Sequence, residues 1–432
     1  MNQLLKIKIL IVDKIIGTSK FLVEKHSQLI RPFLLLANPF ISIKLRSYKL
    51  VYNPSLVGSF TTLIPEQKTE TAQPKRINGS QNITKHSVPA IGFIKLTDAV
   101  IDPHSSVVRV KNMAYVQSTA SMNHRGSVRY RGRQIHTNGA DVVLFQETEV
   151  EYLERGIMLC GSSISNWYHL LVEILSKLEL VDKLPEAISH YPLLLPDDVL
   201  EIATMKDLVQ RLTEGREVIY LQKHIRYQVA SCIYIDAPIL SYHVVEGDLA
   251  ISPVEEHIRP ELLTRFKERI MSKFTVDELK QRNNEPTKVF LARGENAYRQ
   301  YNQADVFSIF EKFGFRLVYC DKLSLIEQVR LFSHAECVAG PSGAAWTNIL
   351  FCKPNAKALC FMPDIANKNA AVYSNIAHVL SIDLRYYFEP SGFVNWTDTY
   401  DPSELFKYNI DVFSGVATQL FDEKHATSGI SV

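Results

Sequence analysis

Long apolar runs are missing from this chain of 432 residues. The best candidate, LIRPFLLLANPFISIK, is bracketed by Arg31 and Lys44 and falls short of the roughly 20 residues a spanning helix needs. No membrane-spanning helix is expected. Charge of one sign is missing too: 48 Lys and Arg stand against 46 Asp and Glu, a net +2. That balance gives no support to a nucleic-acid partner. Cysteine is scarce and scattered. Cys160, Cys232, Cys320, Cys337, Cys352 and Cys360 show no C-x-x-C spacing and sit mostly in apolar strings, the pattern of small buried thiols and of neither a disulfide framework nor a zinc site. There is no D-x-D, no H-E-x-x-H and no compact His/Cys/carboxylate cluster, so no metal and no cofactor is expected. A G-K-[ST] phosphate loop and a G-x-G-x-x-G fingerprint are also absent, which disfavours ATP hydrolysis and NAD chemistry.

What is present is an ordinary globular composition, 46% hydrophobic and 22% charged, long enough for two or three packed cores. The first 53 residues are the exception. Nine lysines and arginines from Lys6 to Lys49 face only Asp13 and Glu24 among many Ile and Leu. This basic amphipathic segment reads as a solvated face, with peripheral contact to an anionic membrane as the alternative. The run IKILIV is broken by charge and followed by no cleavage pattern, so a cytoplasmic location is expected.

Residues 54–90, rich in Pro, Gln, Thr, Asn and Gly, read as a linker or exposed loop. Residues 91–282 mix apolar runs with helical stretches and suggest one α/β domain. The polar break KQRNNEPTK precedes a second domain over 283–390, and 391–432 form an extension. In the second domain strand-like KVFLA, FRLVYC, ECVAG and KALCFM alternate with helical ADVFSIFEKFG, LSLIEQVRLFSHA, GAAWTNILFC and NAAVYSNIAHVL. Such alternation predicts a doubly wound parallel sheet. Ser324 with Glu327 forms a capping box, and Gly314 closes the preceding helix.

Three stretches carry chemistry. In VAGPSGAAWTNILF, a strand reaches a Gly-rich turn and then a helix. Gly340 and Gly343 would let the backbone turn and approach a ligand, and the amides of Gly343, Ala344 and Ala345 would face an anion such as a diphosphate. The bland alternative is a tight turn without a ligand. In SNWYHLLVEILSKLEL, Asn166, His169 and Glu173 form one polar stripe on an otherwise apolar helix. The stripe is either a pair of buried groups satisfying each other or a general base tuned by its neighbour. In VFLARGENAYRQYNQADVF, Arg293 follows a strand, and Arg299 and Asn302 precede a helix. The arginines could clamp phosphate oxygens, or they could be ordinary loop charge.

Together these stretches resemble glycosyltransferase family 61. The resemblance rests on N-W-Y-H-L-L-V-E at 166–173, A-R-G-x-x-x-Y-R-x-x-N at 292–302, L-S-x-x-E-Q-V-R-L-F-S-x-A at 323–335 and G-P-S-G-A-A-W-T-N-I-L-F at 340–351. It implies a GT-B-like α/β architecture, two Rossmann-like domains facing across a cleft with an extra N-terminal segment. It also implies inverting, metal-independent transfer from a nucleotide-diphosphate sugar to a glycan or lipid-linked glycan acceptor, of the kind used by bacteria in surface polysaccharide biosynthesis. By carry-over, Arg293, Arg299, Asn302, Ser342, Gly343, Ala344, Thr347 and Asn348 would serve the donor, His169 and Glu173 would supply the base, and Asn166 would lie on the acceptor side. One departure stands out: Ser342 occupies a position where the family usually has His, and Trp346 one where Leu is common. It motivates one rival, a catalytically silent glycan- or nucleotide-binding subunit of a polysaccharide assembly complex; a second rival is a different α/β enzyme such as a nucleotide-sugar modifying enzyme, against which the missing dinucleotide fingerprint counts.

Overall fold

The computed structural model describes residues 45–117, 134–136, 142–146, 149–161, 163–240, 258–295, 297, 299–365, 371–393 and 406–422. The basic stretch up to residue 44, with its expected membrane contact, lies outside them.

Two sheets carry the fold, in the two-unit α/β layout that the resemblance implies. The C-terminal sheet has five strands, in the order Arg316–Val318, Lys288–Leu291, Cys337–Pro341, Lys357–Ile365 and Asp383–Phe393, all parallel. Its inner strands are apolar on both faces, as strands covered by helices on both sides must be. Helices Gln303–Glu311, Leu325–His334, Ala344–Phe351 and Ala371–Val379 make the crossovers. The Ser324/Glu327 capping box is formed, and Gly314 adopts φ 84° after the first of these helices.

The N-terminal sheet is mixed. Strands Val218–Leu221, Leu193–Pro196, Val150–Met158 and Arg226–Ile235 run parallel, and Ile91–Ile101 then joins antiparallel. Leu45–Val51, from the stretch expected to be a basic amphipathic segment, is a strand of this sheet.

Residues 54–90, expected as a linker or exposed loop, are instead largely strand. Ser59–Ile64 pairs with Ile91–Ile101, and Gln67–Ala72 pairs with Ile83–Val88 as a hairpin. This hairpin clasps the C-terminal unit: the Ala72 amide donates to Asn375 Oδ1 at 2.8 Å, and Lys75 Nζ pairs with Asp383 at 3.0 Å. Its polar composition hides burial. Thr69 and Thr71 are enclosed because their hydroxyls find carbonyls, Thr69 Oγ1 donating to Ile258 O at 2.7 Å. The expected extension beyond 390 likewise contributes to the core, since helix Ile410–Phe421 sets Phe413 and Phe421 against Phe310 at ring separations of 5.7 and 6.1 Å.

The two units are welded by one apolar core. Leu170, Leu171 and Val172 of the N-terminal unit and Val338, Ile349 and Leu350 of the C-terminal unit belong to the same buried cluster. The site elements meet along this seam.

Candidate active site

In the C-terminal sheet the chain winds outward from Lys288–Leu291, first to Arg316–Val318 on one side and then to Cys337–Pro341 on the other. The winding reverses between the first strand and Cys337–Pro341, and sheets of this kind bind ligands in the crevice beyond the strand ends at such a point. The Arg293 loop leaves one of these strands, and the Ser342/Gly343 turn leaves the other.

Arg293 knits the two exits together. Its Nη2 donates to Ser342 O at 2.8 Å, and its Nη1 donates to Arg299 O. Its own peptide is gripped on both sides by Gln303, at 2.7 Å through N–H and 3.1 Å through C=O. Burial, with Arg299's like charge, lowers its pKa to about 10, so the guanidinium remains a cation at neutral pH. Arg299 also reaches the turn, since a methyl at Gly343 would stand 3.7 Å from its Nη2. Between them lies a cavity of about 290 Å³, bounded by Leu291, Ala292, Arg293, Ala297, Arg299, Pro341, Gly343, Ala344 and Ala345. The first N–H groups of a helix have no partner inside it, and Ala344–Phe351 starts at this wall.

The glycines do a different job from the sharp turn expected of them. Gly343 is extended, with φ 174° and ψ 173°, a conformation open to any residue. Gly340 is small because a Cβ would lie 2.5 Å from the Leu291 side chain and 2.9 Å from the Leu291 carbonyl oxygen. It lets neighbouring strands close up beneath the cavity.

Not every candidate residue faces this cavity. Asn302 spends its amide on the Tyr408 peptide, accepting at 2.9 Å and donating at 3.1 Å, so its place is in holding the C-terminal segment. Asn348 is fully buried; it accepts from Trp167 Nε1 at 2.9 Å and donates to Gln328 Oε1 at 3.0 Å. It is a tie between the units. Thr347 is equally buried, with no partner for its hydroxyl among the described residues. Ser342 is buried and serves through its backbone: its amide donates to Phe361 O at 2.8 Å, and its carbonyl takes Arg293.

Residues 167–181 form the helix that carries His169. It departs from α geometry: His169–Ile174 is a π turn, with Leu175 N–H donating to Leu170 O. Single π turns are uncommon and recur at functional sites. Asn166, exposed at its start, accepts from the Tyr168 amide at 2.9 Å. His169 Nδ1 lies 2.6 Å from Glu173 Oε2, both side chains 14% exposed, so the pair is half-sheltered and still reachable. A carboxylate on Nδ1–H fixes the tautomer and leaves Nε2 as the basic nitrogen.

Three residues that sequence reasoning missed connect the helix to the cavity and back it. Tyr373 packs edge-on against Tyr168 at 6.0 Å, and its hydroxyl donates to Gly343 O at 2.7 Å; Tyr168 in turn meets the His169 ring at 5.7 Å. Behind Glu173, Lys177 is buried with its Nζ 5.8 Å from the Tyr234 ring centre. Burial lowers its pKa, opposed by Cys160, Asp236 and Glu173. Asp236 is buried too, accepts from the Gly92 amide at 2.9 Å, and is pushed up to about 6 by burial. Lys177 and Glu173 are four residues apart, but only the fold shows that Asp236 shares their pocket.

Comparison with known proteins adds the following. Residues 167–359 match the family model described as Glycosyltransferase 61, a stretch that begins on the His169 helix and ends in strand Lys357–Ile365. No curated relative matches. Among solved structures, the dodecameric iron-containing heptosyltransferase TibC in complex with ADP-D-beta-D-heptose aligns at 11% identity and a TM-score of 0.28, over 85% of this chain and 97% of that one.

Proposed function

From the match of residues 167–359 to the family model described as Glycosyltransferase 61, we propose that this chain is a glycosyltransferase of that family, making an inverting transfer from a nucleotide-diphosphate sugar bound at the switch-point cavity. The donor's diphosphate lies against Arg293, Arg299 and the amides of Gly343 and Ala344. Two guanidinium groups and a helix start supply the positive field that the leaving group needs, so no metal is invoked. The acceptor is a glycan hydroxyl, carried on a surface polysaccharide or its lipid-linked precursor.

In the proposed step the acceptor oxygen attacks the anomeric carbon from the side opposite the diphosphate. The new C–O bond forms as the bond to the phosphate oxygen breaks, and the electron pair leaves with the nucleoside diphosphate. The proton passes from the hydroxyl to His169 Nε2, with Glu173 orienting the ring and balancing its charge. The sequence left open whether His169 or Glu173 is the base; the Nδ1 contact favours His169.

One observation carries this reading: the cavity where the sheet reverses is walled by Arg293, Arg299 and Gly343 and tied through Tyr373 and Asn348 to the helix bearing His169. Titration calorimetry with UDP-, GDP-, ADP- and CDP-linked sugars should show binding to at least one, and no binding across the set would sink the donor site. Donor binding without transfer to any glycan acceptor would favour the silent-subunit reading that Ser342 motivated. The anomeric configuration of the product, read by NMR, checks inversion.

A further inference from the structure

The second strand of the C-terminal sheet, Arg316–Val318, ends beside the Arg293 loop, with the Ala292 amide donating to Val318 O at 2.9 Å. The chain then makes the short turn Cys320–Lys322. Asp321 is exposed on this turn. One of its carboxylate oxygens stands 3.7 Å from where a methyl at Gly294 would be, which places this carboxylate beside the loop that walls the cavity. Among the described residues nothing hydrogen-bonds to that carboxylate, and the neighbouring Lys322 ammonium lies over the Tyr319 ring at 4.6 Å.

The turn is braced. Gln328 Nε2 donates to Cys320 O at 2.8 Å and to Leu323 O at 3.2 Å, while Gln328 Oε1 accepts from Asn348 on the helix that begins at Gly343. Asp321 is therefore held in fixed relation to the cavity. In dinucleotide-binding sheets of this winding, the phosphates sit at the exit of one strand and an acid at the end of the neighbouring strand takes the ribose hydroxyls; Asp321 has the corresponding place here, without the Gly-rich fingerprint. An ionised carboxylate only accepts hydrogen bonds, and a sugar hydroxyl donates one.

We propose that Asp321 accepts hydrogen bonds from the ribose hydroxyls of the donor nucleoside, so that this site selects ribonucleoside over deoxyribonucleoside diphosphates. This rests on the diphosphate occupying the cavity as proposed above. The test is titration calorimetry on the full chain with UDP, GDP, ADP and CDP, each beside its 2′-deoxy and 3′-deoxy counterparts, using wild type, Asp321→Ala and Asp321→Asn. Hydrogen bonds to a charged group predict that wild type binds the ribo form about tenfold or more tighter than at least one deoxy form. Asp321→Ala should close that gap to under threefold and still bind the deoxy forms as wild type does; Asp321→Asn, which keeps an acceptor oxygen without the charge, should fall between. A wild-type gap under threefold for both deoxy forms, or an undiminished gap in Asp321→Ala, overturns the role of Asp321 while leaving the diphosphate site standing. Absence of any diphosphate binding to wild type overturns both.

Discussion

Arg293→Lys separates a cation that binds ligand from one that merely holds the loop. A guanidinium carries five N–H groups; two are spent on Ser342 O and Arg299 O, which leaves three for an anion in the cavity. A lysine ammonium has three in all and no planar fork, so if it keeps both carbonyls it has one left for the phosphate where arginine has three. A hydrogen bond from a charged donor contributes about 1.5–3 kcal/mol. Losing one such bond to a diphosphate weakens binding by about ten- to a hundredfold, and losing one to a carbonyl lowers unfolding stability by a similar energy. Arg293→Ala would forfeit both carbonyl bonds, about 3–6 kcal/mol, enough to threaten folding, so lysine is the informative change. Calorimetry with nucleoside diphosphates and a urea melt should be run on the same preparation. The expected result is a ten- to hundredfold rise in Kd with the protein still folded. Unchanged Kd with a lowered melt would show that Arg293 is a strut and refute its place in the donor site.

Three further outcomes are expected. His169→Ala should lower kcat by about 10²–10⁴ with little change in diphosphate Kd, and Glu173→Gln should act in the same direction more weakly; full turnover in both would remove the pair from the mechanism. Tyr373→Phe deletes the hydroxyl held by Gly343 O and should cost about 1 kcal/mol of stability together with weaker donor binding, so a drop in stability with unaltered Kd would confine Tyr373 to packing. Asp236, with its folded pKa near 6 against an ordinary 3.8, holds its proton more tightly in the fold, so wild-type stability falls as pH rises from about 4 to 6 and is level above. Asp236→Asn lacks that slope and should gain stability relative to wild type across that window, on the order of 2–3 kcal/mol at its end; a difference that stays constant from pH 4 to 7.5 in urea melts would contradict this.

The C-terminal unit was legible because its signals are local. Parallel strands buried on both faces read as short apolar runs, and the Ser324 box and Gly314 mark helix ends within a few residues. The hairpin Gln67–Ala72 with Ile83–Val88 was not legible, because two of its buried positions, Thr69 and Thr71, are threonines satisfied by carbonyls, one as distant as Ile258, and composition reads threonine as surface. The π turn at His169 was hidden for another reason: i→i+5 bonding uses the same apolar residues that an α-helix would. His169, Glu173, Arg293 and Arg299 could be picked out by residue type at strand and helix ends, whereas Asn302 and Asn348 looked like ligand groups until the fold supplied Tyr408, Trp167 and Gln328 as their partners.

The placing of Asn348 bears on how the site works. One side-chain amide joins Trp167, two residues before His169, to Gln328, which fixes the turn bearing Asp321. A second path runs from Tyr168 through Tyr373 to Gly343. To slide the His169 helix against the cavity would strip partners from several buried polar groups, each costing about 1–3 kcal/mol when left unpaired, and would split an apolar core shared by both units. The His169 helix and the Arg293 cavity are therefore tied into one body. Under the proposed function, reactant geometry set by such a body does not have to be assembled by closure at each turnover, and substrate enters on the solvent side of His169 and Arg299, away from the seam that Asn348 and Tyr373 hold.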